Sequence, residues 1–270
     1  MKLGIVIPVL NQLQYTRQCV ESLLGSGVRA SSILIVDNAS TDDTPQWLAA
    51  MPQIRSLRNP VNLGCGSAWT QGAVLMPEAE WVVFLNNDVL FAHDAIGASV
   101  AAAETRGFEV ASPALMEGAL DYDQSAFTRD FLAKMSGTWR ENYFHAVCFS
   151  VRRDVLHRIG FPDTDRALFG REDIEYLVRC RRNGVRMGVT GAGVLHHFGS
   201  VTQSALKKEL GLTSFGDHRY LYAKLGMGWW RRQRFKRALR VQAAAWRQLE
   251  QARQGMTLHM ERNNGRWVLR

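Results

Sequence analysis

The sequence lacks the long hydrophobic runs of a membrane protein and the cysteine spacing of a zinc protein. No apolar run approaches the roughly 20 residues that span a membrane as a helix. The N-terminal segment MKLGIVIPVLNQ has one lysine and a short apolar run that Pro8 interrupts, so it predicts a first strand rather than a signal peptide. The four cysteines, at positions 19, 65, 148 and 180, show no metal-type spacing. We therefore expect a cytoplasmic protein whose thiols are reduced and mostly buried. The protein could also be in peripheral contact with the inner face of the cytoplasmic membrane.

The common glycine-rich nucleotide-binding motifs are missing as well. A dinucleotide-binding fold carries GxGxxG directly after its first strand, whereas the first predicted strand here continues into PVLNQ without a glycine. There is no P-loop lysine motif and no glycine-rich nucleotidyltransferase loop near the N-terminus, and the segment NLGCG at 62–66 comes too late to serve as one. Any nucleotide must therefore be bound by other means.

What the sequence does contain is a regular alternation of strands and helices. Its 46% hydrophobic and 21% charged residues are typical of a globular protein with a sizeable core. Up to residue 91, apolar β-branched runs alternate with helical patterns, giving strands at 3–9, 32–36, 55–57 and 81–85 and helices at 13–24, 42–51 and 67–76. This alternation predicts right-handed βαβ units and a mainly parallel sheet. Further on the pattern is looser, and residues 118–138 predict a long loop.

The C-terminal quarter differs from the rest in its charge. From Ala205 onward the sequence holds 15 Lys and Arg against 4 Asp and Glu, whereas the first 204 residues hold 18 against 21. We therefore predict a main domain over 1–204 and a basic, helical extension over 205–270. The stretch Trp229–Gln254 has no glycine or proline and predicts a basic amphipathic helix. This helix could pack on the domain with a solvated basic face, or its Trp and Arg residues could attach the protein to an anionic membrane. Nucleic acid is not expected, because no stacking platform accompanies the basic residues.

Two predicted strands end in a carboxylate. The buried run at 81–85 is followed by Asn86, Asn87 and Asp88, and the run at 32–36 is followed by Asp37. Such residues can simply form turns, because Asn and Asp hydrogen-bond their own backbone. In an open α/β sheet, however, ligands bind outside the carboxyl ends of the strands. Asp37 and Asp88 are therefore candidates for one shared site, where Asp37 could accept hydrogen bonds from a base or a ribose.

An acidic pair and a histidine pair follow in the second half. Glu172 and Asp173 open a predicted helix at 171–183, where they could stabilise the helix N-terminus. The arginines at 179, 181 and 182 predict a solvated face of that helix. His196 and His197 end a strand-like run, and because neighbours in a strand point to opposite faces, we do not expect both to bind one metal.

Six segments occur in the order and at the separations found in one enzyme family: IVIPVLNQ, IVDNASTDDT, NPVNLGCGSAWTQG, FLNNDV, FGREDIEYLVRCRRNG and VLHHFGSVT. Together, over residues 3–203, they resemble the inverting glycosyltransferases of family 2, and within it the bacterial rhamnosyltransferase-like branch. The resemblance implies the GT-A nucleotide-diphospho-sugar transferase fold, an α/β fold with a mixed, mostly parallel sheet flanked by helices. It also implies a nucleotide-diphospho-sugar donor, Mg²⁺ or Mn²⁺ as cofactor, and a single displacement with inversion.

The resemblance assigns the donor site to the strand ends and the loops after them. Asp37 matches the acid that contacts the nucleoside base, and Asp88 matches the last carboxylate of the metal-binding DxD signature. His196 matches a second metal position, with a hydrogen-bonded structural histidine as the alternative. The other implied donor-nucleotide positions are Pro8, Val9, Asn11, Asn62, Gly64 and Asn87. The branch often has NNRG where this sequence has WTQG at 69–72, so one cation near the diphosphate is missing.

The resemblance also identifies the catalytic residues. Displacement at an anomeric carbon needs a base that takes the proton of the acceptor hydroxyl. Asp173 matches that base, and Glu172 would orient the acceptor.

The sequence thus predicts an inverting, metal-dependent glycosyltransferase of the hexosyl- or rhamnosyltransferase type. It would act on a glycan, which could be lipid-linked, in bacterial surface polysaccharide synthesis of the O-antigen or capsule type. Two alternatives stay open. A sugar nucleotidyltransferase should carry the N-terminal glycine-rich loop, and a catalytically inactive nucleotide-sugar or glycan-binding protein should lack Asp88 or Asp173.

Overall fold

Strands and helices alternate through the first part of the chain, as the sequence predicts. The computed structural model describes residues 2–168, 170–199, 201, 208 and 218–270. The strands are β1 Leu3–Val9, β2 Ile33–Asp37, β3 Arg55–Arg58, β4 Trp81–Leu85, β5 Val89–Leu90, β6 Val110–Gly118, β7 Trp139–Glu141, β8 Cys148–Arg152, β9 Met187–His197, β10 His259–Asn263 and β11 Arg266–Leu269. The helices are α1 Leu13–Gly25, α2 Thr44–Ala49, α3 Cys65–Val74, α4 Ala95–Arg106, α5 Gln124–Met135, α6 Arg153–Ile159, α7 Glu172–Arg182, α8 His218–Lys224 and α9 Trp229–Gln254.

All strands of the described residues belong to one sheet with the central order β3-β2-β1-β4-β8-β6-β10-β11. β1 is parallel to β2 and β4. β8 is antiparallel to both β4 and β6, so β4 and β6 run in the same direction. β9 and β10 are each parallel to β6. The predicted mixed, mostly parallel sheet is therefore confirmed, and the carboxyl ends of β1, β2, β4, β6 and β9 lie along one edge.

Each face of the sheet is covered by its own hydrophobic core, because alternate residues of a strand point to opposite faces. Val82 and Phe84 of β4 join a cluster with Trp69 of α3, while Val83 and Leu85 join a cluster built on α1. This two-sided burial explains why β4 reads as a continuous apolar run. On the first face α3 lies close to β1, since a Cβ placed on Gly72 would be 2.2 Å from a methyl carbon of Val6.

The four cysteines are free thiols, three of them buried and Cys65 partly exposed, in agreement with the expected pattern.

The predicted loop at 118–138 contains a helix instead. The carboxylate of Asp123 accepts a hydrogen bond from Ala126 N at 2.9 Å and caps α5. Phe131 and Met135 then bury one face of α5 in a third core cluster with Val189 of β9. Tertiary packing of two side chains thus stabilises a helix whose sequence looks polar and irregular.

The predicted helix over Trp229–Gln254 is confirmed as α9, but the residues after it are not helical. The chain turns at Gly255, and β10 and β11 form a hairpin around Asn264 and Gly265, both with positive φ. Asn-Gly is a strong hairpin signal. Because β10 pairs with β6, the C-terminal extension shares the central sheet.

A buried ion pair fastens this extension to the rest of the sheet. Arg140 of β7 donates from Nε and Nη2 to the two oxygens of Glu250 in α9 at 2.7 and 2.8 Å. Glu250 also accepts from Leu258 N at 2.8 Å, and Arg140 donates to the carbonyl of Arg270 at 3.0 Å. One pair therefore connects α9, the hairpin and β7.

None of the helices in the described part of the chain has the length and apolar character needed to cross a membrane.

Candidate active site

The ends of β1 and β2 are joined by their polar loops. Val9 and Asp37 are register partners, and Asn38 N donates to Val9 O at 2.9 Å. Asn11, with a left-handed φ of 55°, accepts at Oδ1 from Thr41 N at 2.7 Å. The structure thereby brings together Pro8, Val9, Asn11 and Asp37, four of the predicted donor positions.

Asp37 is fully buried, and one of its two carboxylate oxygens accepts a hydrogen bond within its own turn. Its Oδ1 accepts from Ser40 N at 2.8 Å, as the turn interpretation expects. Its Oδ2 lies 3.2 Å from Nη1 of Arg58, a side chain that is half exposed. No local pattern singles out Arg58, which places a cation beside this carboxylate at the rim of the site.

The loop before α3 is tied to the same place. Asn62 Oδ1 accepts from Gly64 N at 2.9 Å, and Asn38 Nδ2 donates to Gly64 O at 3.2 Å. Gly64 has a φ of 87°, a conformation that side chains other than glycine rarely adopt. Asn87 is oriented differently: its Nδ2 donates to Thr16 Oγ1 of α1 at 2.9 Å.

Asp88 lies buried at the tip of β4 and faces His197. Asp88 Oδ1 is 3.3 Å from His197 Nε2, and Oδ2 accepts from Val201 N at 2.9 Å. Burial by itself would raise the pKa of Asp88, but the hydrogen bond and charge of His197 outweigh it, and the pKa lies below its usual value. For His197, burial would lower the pKa, but the carboxylates of Asp88 and Glu117 raise it to about 9.

The structure does not bring His196 to Asp88. The pleat of β9 turns its ring to the other face, where Nδ1 hydrogen-bonds Tyr122 OH at 3.0 Å. Burial and the charge of His197 lower the pKa of His196 to about 4. The family spacing favoured His196 for the metal position. Alternation along a strand shows that His196 and His197 point to opposite faces, but not which of them faces Asp88.

Asp88 and His197 fit a divalent cation that also binds phosphate and water. Among the described residues no three His, Cys, Asp or Glu side chains are arranged to hold a metal. Magnesium-type sites, however, commonly use one or two protein ligands plus substrate phosphates. His197 donates from Nδ1 to Glu117 Oε1 at 2.8 Å, the carboxylate contact that typically orients a metal-binding histidine. Its Nε2, which faces Asp88, would exchange its proton for the metal.

Glu172 and Asp173 lie in the first turn of α7, next to the start of α3. A Cβ placed on Gly66 would be 3.0 Å from Cγ of Glu172, so the two segments touch. Burial raises the pKa of the Cys65 thiol, and the charges of Glu172, Asp173 and Asp88 raise it further. All three carboxylates therefore lie around the start of α3.

The environment of α7 raises the pKa values of both acids. For Glu172 and for Asp173 the largest cause is burial, which the backbone N–H groups of the helix start only partly offset. The N-terminus of α7 thus stabilises the ionised form of both carboxylates, but burial has the larger effect on their pKa values.

Arg179 was predicted on a solvated face of this helix, and that prediction is wrong. Its guanidinium lies 4.9 Å from the ring centroid of Tyr176 and donates to the carbonyls of Ile159 and Phe161. It also pairs with Glu175. Arg179 therefore holds the segment after α6 against α7.

Comparisons with known proteins agree with this architecture. Residues 4–160 match the model of glycosyl transferase family 2. An uncharacterized protein of Sinorhizobium fredii is 25% identical over 227 residues, which are 74% of this chain and 25% of that protein. The chain thus spans about a quarter of the length of this relative.

Two solved structures show the same fold. The complex of S. aureus TarS 1–349 with UDP has a TM-score of 0.58 at 16% identity, covering 73% of this chain and 60% of that one. The Pyrobaculum calidifontis mannosyltransferase PcManGT, in complex with GDP-Man and Mn²⁺, has a TM-score of 0.53 at 19% identity, covering 73% and 56%.

These neighbours share the GT-A arrangement of the sheet and its flanking helices, while the rhamnosyltransferase-like branch stays a prediction. Since the matched residues make up more than half of it, this chain belongs to glycosyl transferase family 2.

Proposed function

We propose that this protein transfers a sugar from a nucleotide-diphospho-sugar to a hydroxyl of a glycan acceptor with inversion at the anomeric carbon. The observation that carries the proposal is the contact of Asp88 with His197 beyond the end of β4, with the acidic first turn of α7 packed on the start of α3 through Glu172 and Gly66. Transfer needs a cation beside the leaving diphosphate, which Asp88 would hold, and a base near the attacking hydroxyl, which the acidic pair would provide.

The donor would lie across the carboxyl ends of β1, β2 and β4. Asp37, with Arg58 beside it, would contact the nucleoside. Asp88 and His197, rather than His196, would hold Mg²⁺ or Mn²⁺ next to the diphosphate. A bound cation would neutralise charge that develops on the leaving diphosphate. Complexes of neighbours with UDP, or with GDP-Man and Mn²⁺, support this class of donor and ion.

Asp173 would take the proton of the acceptor hydroxyl. Its raised pKa makes it a stronger base than an exposed aspartate. Glu172, more deeply buried and packed on Gly66, would orient the acceptor. Because one displacement inverts the anomeric carbon, the stereochemistry of the product reports directly on this assignment.

The acceptor would be a glycan of a bacterial surface polysaccharide, such as an O-antigen or capsule precursor linked to lipid. The outward face of α9 supports this, since Trp229 and Trp230 are 60% and 75% exposed among arginines at 231, 234, 237 and 240. Trp and Arg together suit an anionic membrane surface.

The alternative functions lack support of this kind. A nucleotidyltransferase would need a glycine-rich loop after β1, where the chain instead has Asn11 and Gln12 in left-handed conformations. An inactive binding protein would not need the acidic pair in the first turn of α7.

A donor panel tests the proposal. Binding of UDP-, GDP- and dTDP-sugars with Mn²⁺ is measured by calorimetry, and the donor that binds is then incubated with glycan acceptors. We expect one nucleotide class to bind and release of the nucleoside diphosphate to depend on acceptor. If no nucleotide-sugar binds to folded protein, the proposed function is wrong.

A further inference from the structure

Glu117 connects His197 to the C-terminal hairpin. In the parallel pairing of β6 with β9, Glu117 is the register partner of His197, and the two side chains meet at 2.8 Å. On its other side β6 pairs with β10, and His259 Nε2 lies 2.6 Å from Glu117 Oε2. A continuous line of contacts therefore runs from Asp88 through His197 and Glu117 to His259.

We propose that Glu117 and His259 are positioning residues for the metal site, so that the C-terminal hairpin completes a site whose other residues come from the main domain. This inference rests on the proposed function, in which Asp88 and His197 hold the cation. Glu117 lies outside the six segments that carry the family resemblance, and His259 lies far beyond the residues matched by the family model.

The role of Glu117 follows from the symmetry of an imidazole ring. A histidine ring has broad, roughly two-fold freedom about its second torsion, so a half-turn of the His197 ring would place Cε1 instead of Nε2 opposite Asp88. The contact between Nδ1 and Glu117 selects the orientation in which Nε2 faces Asp88. Partners of this kind, when removed, typically cost 10- to 100-fold in metal affinity.

The role of His259 follows from the freedom of Glu117. A glutamate side chain loses rotamer freedom when it is fixed, so a second partner is needed to hold it in one orientation. The side chain of Glu117 is 28% exposed, so burial alone does not fix it. His259 holds its second oxygen, which leaves the first oxygen pointing at His197.

The strand that carries His259 is itself well anchored. The backbone carbonyl of His259 accepts hydrogen bonds from Thr257 Oγ1 at 2.6 Å and from Arg270 N at 2.9 Å. The preceding residue, Leu258, is buried and donates to Glu250 of the buried ion pair. The position of His259 is thus set by the hairpin and by α9 together.

The manganese affinity of the intact 270-residue chain tests the inference without an activity measurement. Free Mn²⁺ is measured by electron paramagnetic resonance during titration, with circular dichroism as the check on folding. We expect His259→Ala and Glu117→Gln each to weaken Mn²⁺ binding about 10-fold or more. His259→Gln, whose amide can still donate to Glu117, should recover most of the affinity.

Glu261→Gln is the matched control. Glu261 is on the same strand, two residues away, and its carboxylate pairs with Arg270 rather than with a histidine. Loss of this charge should leave Mn²⁺ affinity within about two-fold of the parent.

The outcomes separate the inference from the proposed function. Parental affinity in folded His259→Ala, together with loss of affinity in Asp88→Ala, would overturn the positioning role alone. Equal Mn²⁺ binding by the parent and Asp88→Ala, or none by the parent, would overturn the metal site and the positioning role with it. Should His259→Ala not fold, Glu117→Gln decides the question by the same titration, and parental affinity in Glu117→Gln would again overturn it.

Discussion

Asp173 stands half-buried in the first turn of α7, with Tyr143 and Cys65 close enough to respond to its charge. Asparagine has nearly the same shape but cannot take a proton. We expect Asp173→Asn to fold and to bind the donor nearly as the parent does, while transfer falls by roughly 10²- to 10⁴-fold. Calorimetry and a transfer assay check the two parts, and the NMR spectrum of the product should show the inverted configuration. Near-parental turnover, or retained configuration, would contradict the assignment.

The acid limb of the pH profile depends on the same residue. A base acts when it is deprotonated, so activity is present above its pKa and is lost as the pH falls through it. Burial raises the pKa of Asp173, whereas the charge of Arg171 lowers it. The loss should therefore begin at a higher pH than for an ordinary aspartate, whose pKa is about 3.9. Arg171→Ala should move the acidic limb of the pH dependence of kcat/KM to still higher pH. If this limb does not move, or moves to lower pH, Asp173 is not the base.

Asp88 should make donor binding depend on metal. With Asp88 and His197 as the protein ligands, activity should disappear in EDTA and return with Mg²⁺ or Mn²⁺. Asp88→Ala should weaken donor binding in the presence of metal and change it little in its absence, as calorimetry with and without Mn²⁺ can show. Full activity of the parent in excess EDTA is the result that excludes this role.

At the scale of elements, α9 combines a packed side and an outward side. Trp246 lies against Arg140 and Tyr143, and Phe235 packs against the cluster around Leu221. The outward side carries Trp230, Val241 and the exposed arginines. The packed side confirms that α9 lies against the rest of the fold, and attachment of the outward side to a membrane stays a prediction. Deleting the chain after Met227 would also remove β10, β11 and Glu250, so point variants are the better probes.

We predict that Arg234→Ala with Arg237→Ala weakens binding to vesicles of anionic lipid. Each cation near such a surface contributes about 1 kcal/mol, so two should cost roughly 30-fold in affinity. Replacing Trp229 and Trp230 by Ala should weaken binding further, and added salt should weaken binding of the parent. Arg17→Ala with Arg29→Ala, which removes the same charge from exposed positions outside the extension, is the control. Sedimentation with vesicles measures all four, and a parent that ignores anionic vesicles at low salt would show that α9 is structural only.

The ion pair between β7 and α9 should dominate the stability of the C-terminal elements. Arg140 and Glu250 are 4% and 3% exposed, and removing one partner leaves a buried charge without compensation. We expect Glu250→Ala to lower the free energy of unfolding by about 3–5 kcal/mol. The exposed pair of Arg270 and Glu261 should contribute at most about 1 kcal/mol. Urea unfolding of Glu250→Ala and Glu261→Ala compares the two directly, and equal losses would contradict this ranking.

At the scale of the whole molecule, the candidate site collects residues from nearly the full length of the chain. Asp37 comes from β2, Asp88 follows β4, Asp173 opens α7 and His197 ends β9. The parallel direction of β1, β2, β4, β6 and β9 places their carboxyl ends at one edge, where polar residues can meet. The hairpin at 259–269 joins the same sheet, so the basic extension contributes strands to it as well as the helix α9.

Much of this arrangement is determined by the sequence itself. Continuous apolar runs at 32–36 and 81–85 predict strands buried on both faces, and short helical segments between them predict a parallel sheet. The two carboxylates at the strand ends then had to lie on one edge. The stretch from 229 to 254 contains no glycine or proline, which predicts the helix α9. These features depend on local pattern alone.

Tertiary structure decided which side chains actually meet. The phase of the pleat in β9 depends on pairing with β6, and it turns His197 rather than His196 towards Asp88. Glu117 meets His197 across 80 positions of sequence and His259 across 142, and no local pattern encodes such contacts. A one-residue change in strand register would move every side chain to the opposite face. Which histidine faces Asp88, and which side chains contact that histidine, is therefore decided by the assembled sheet.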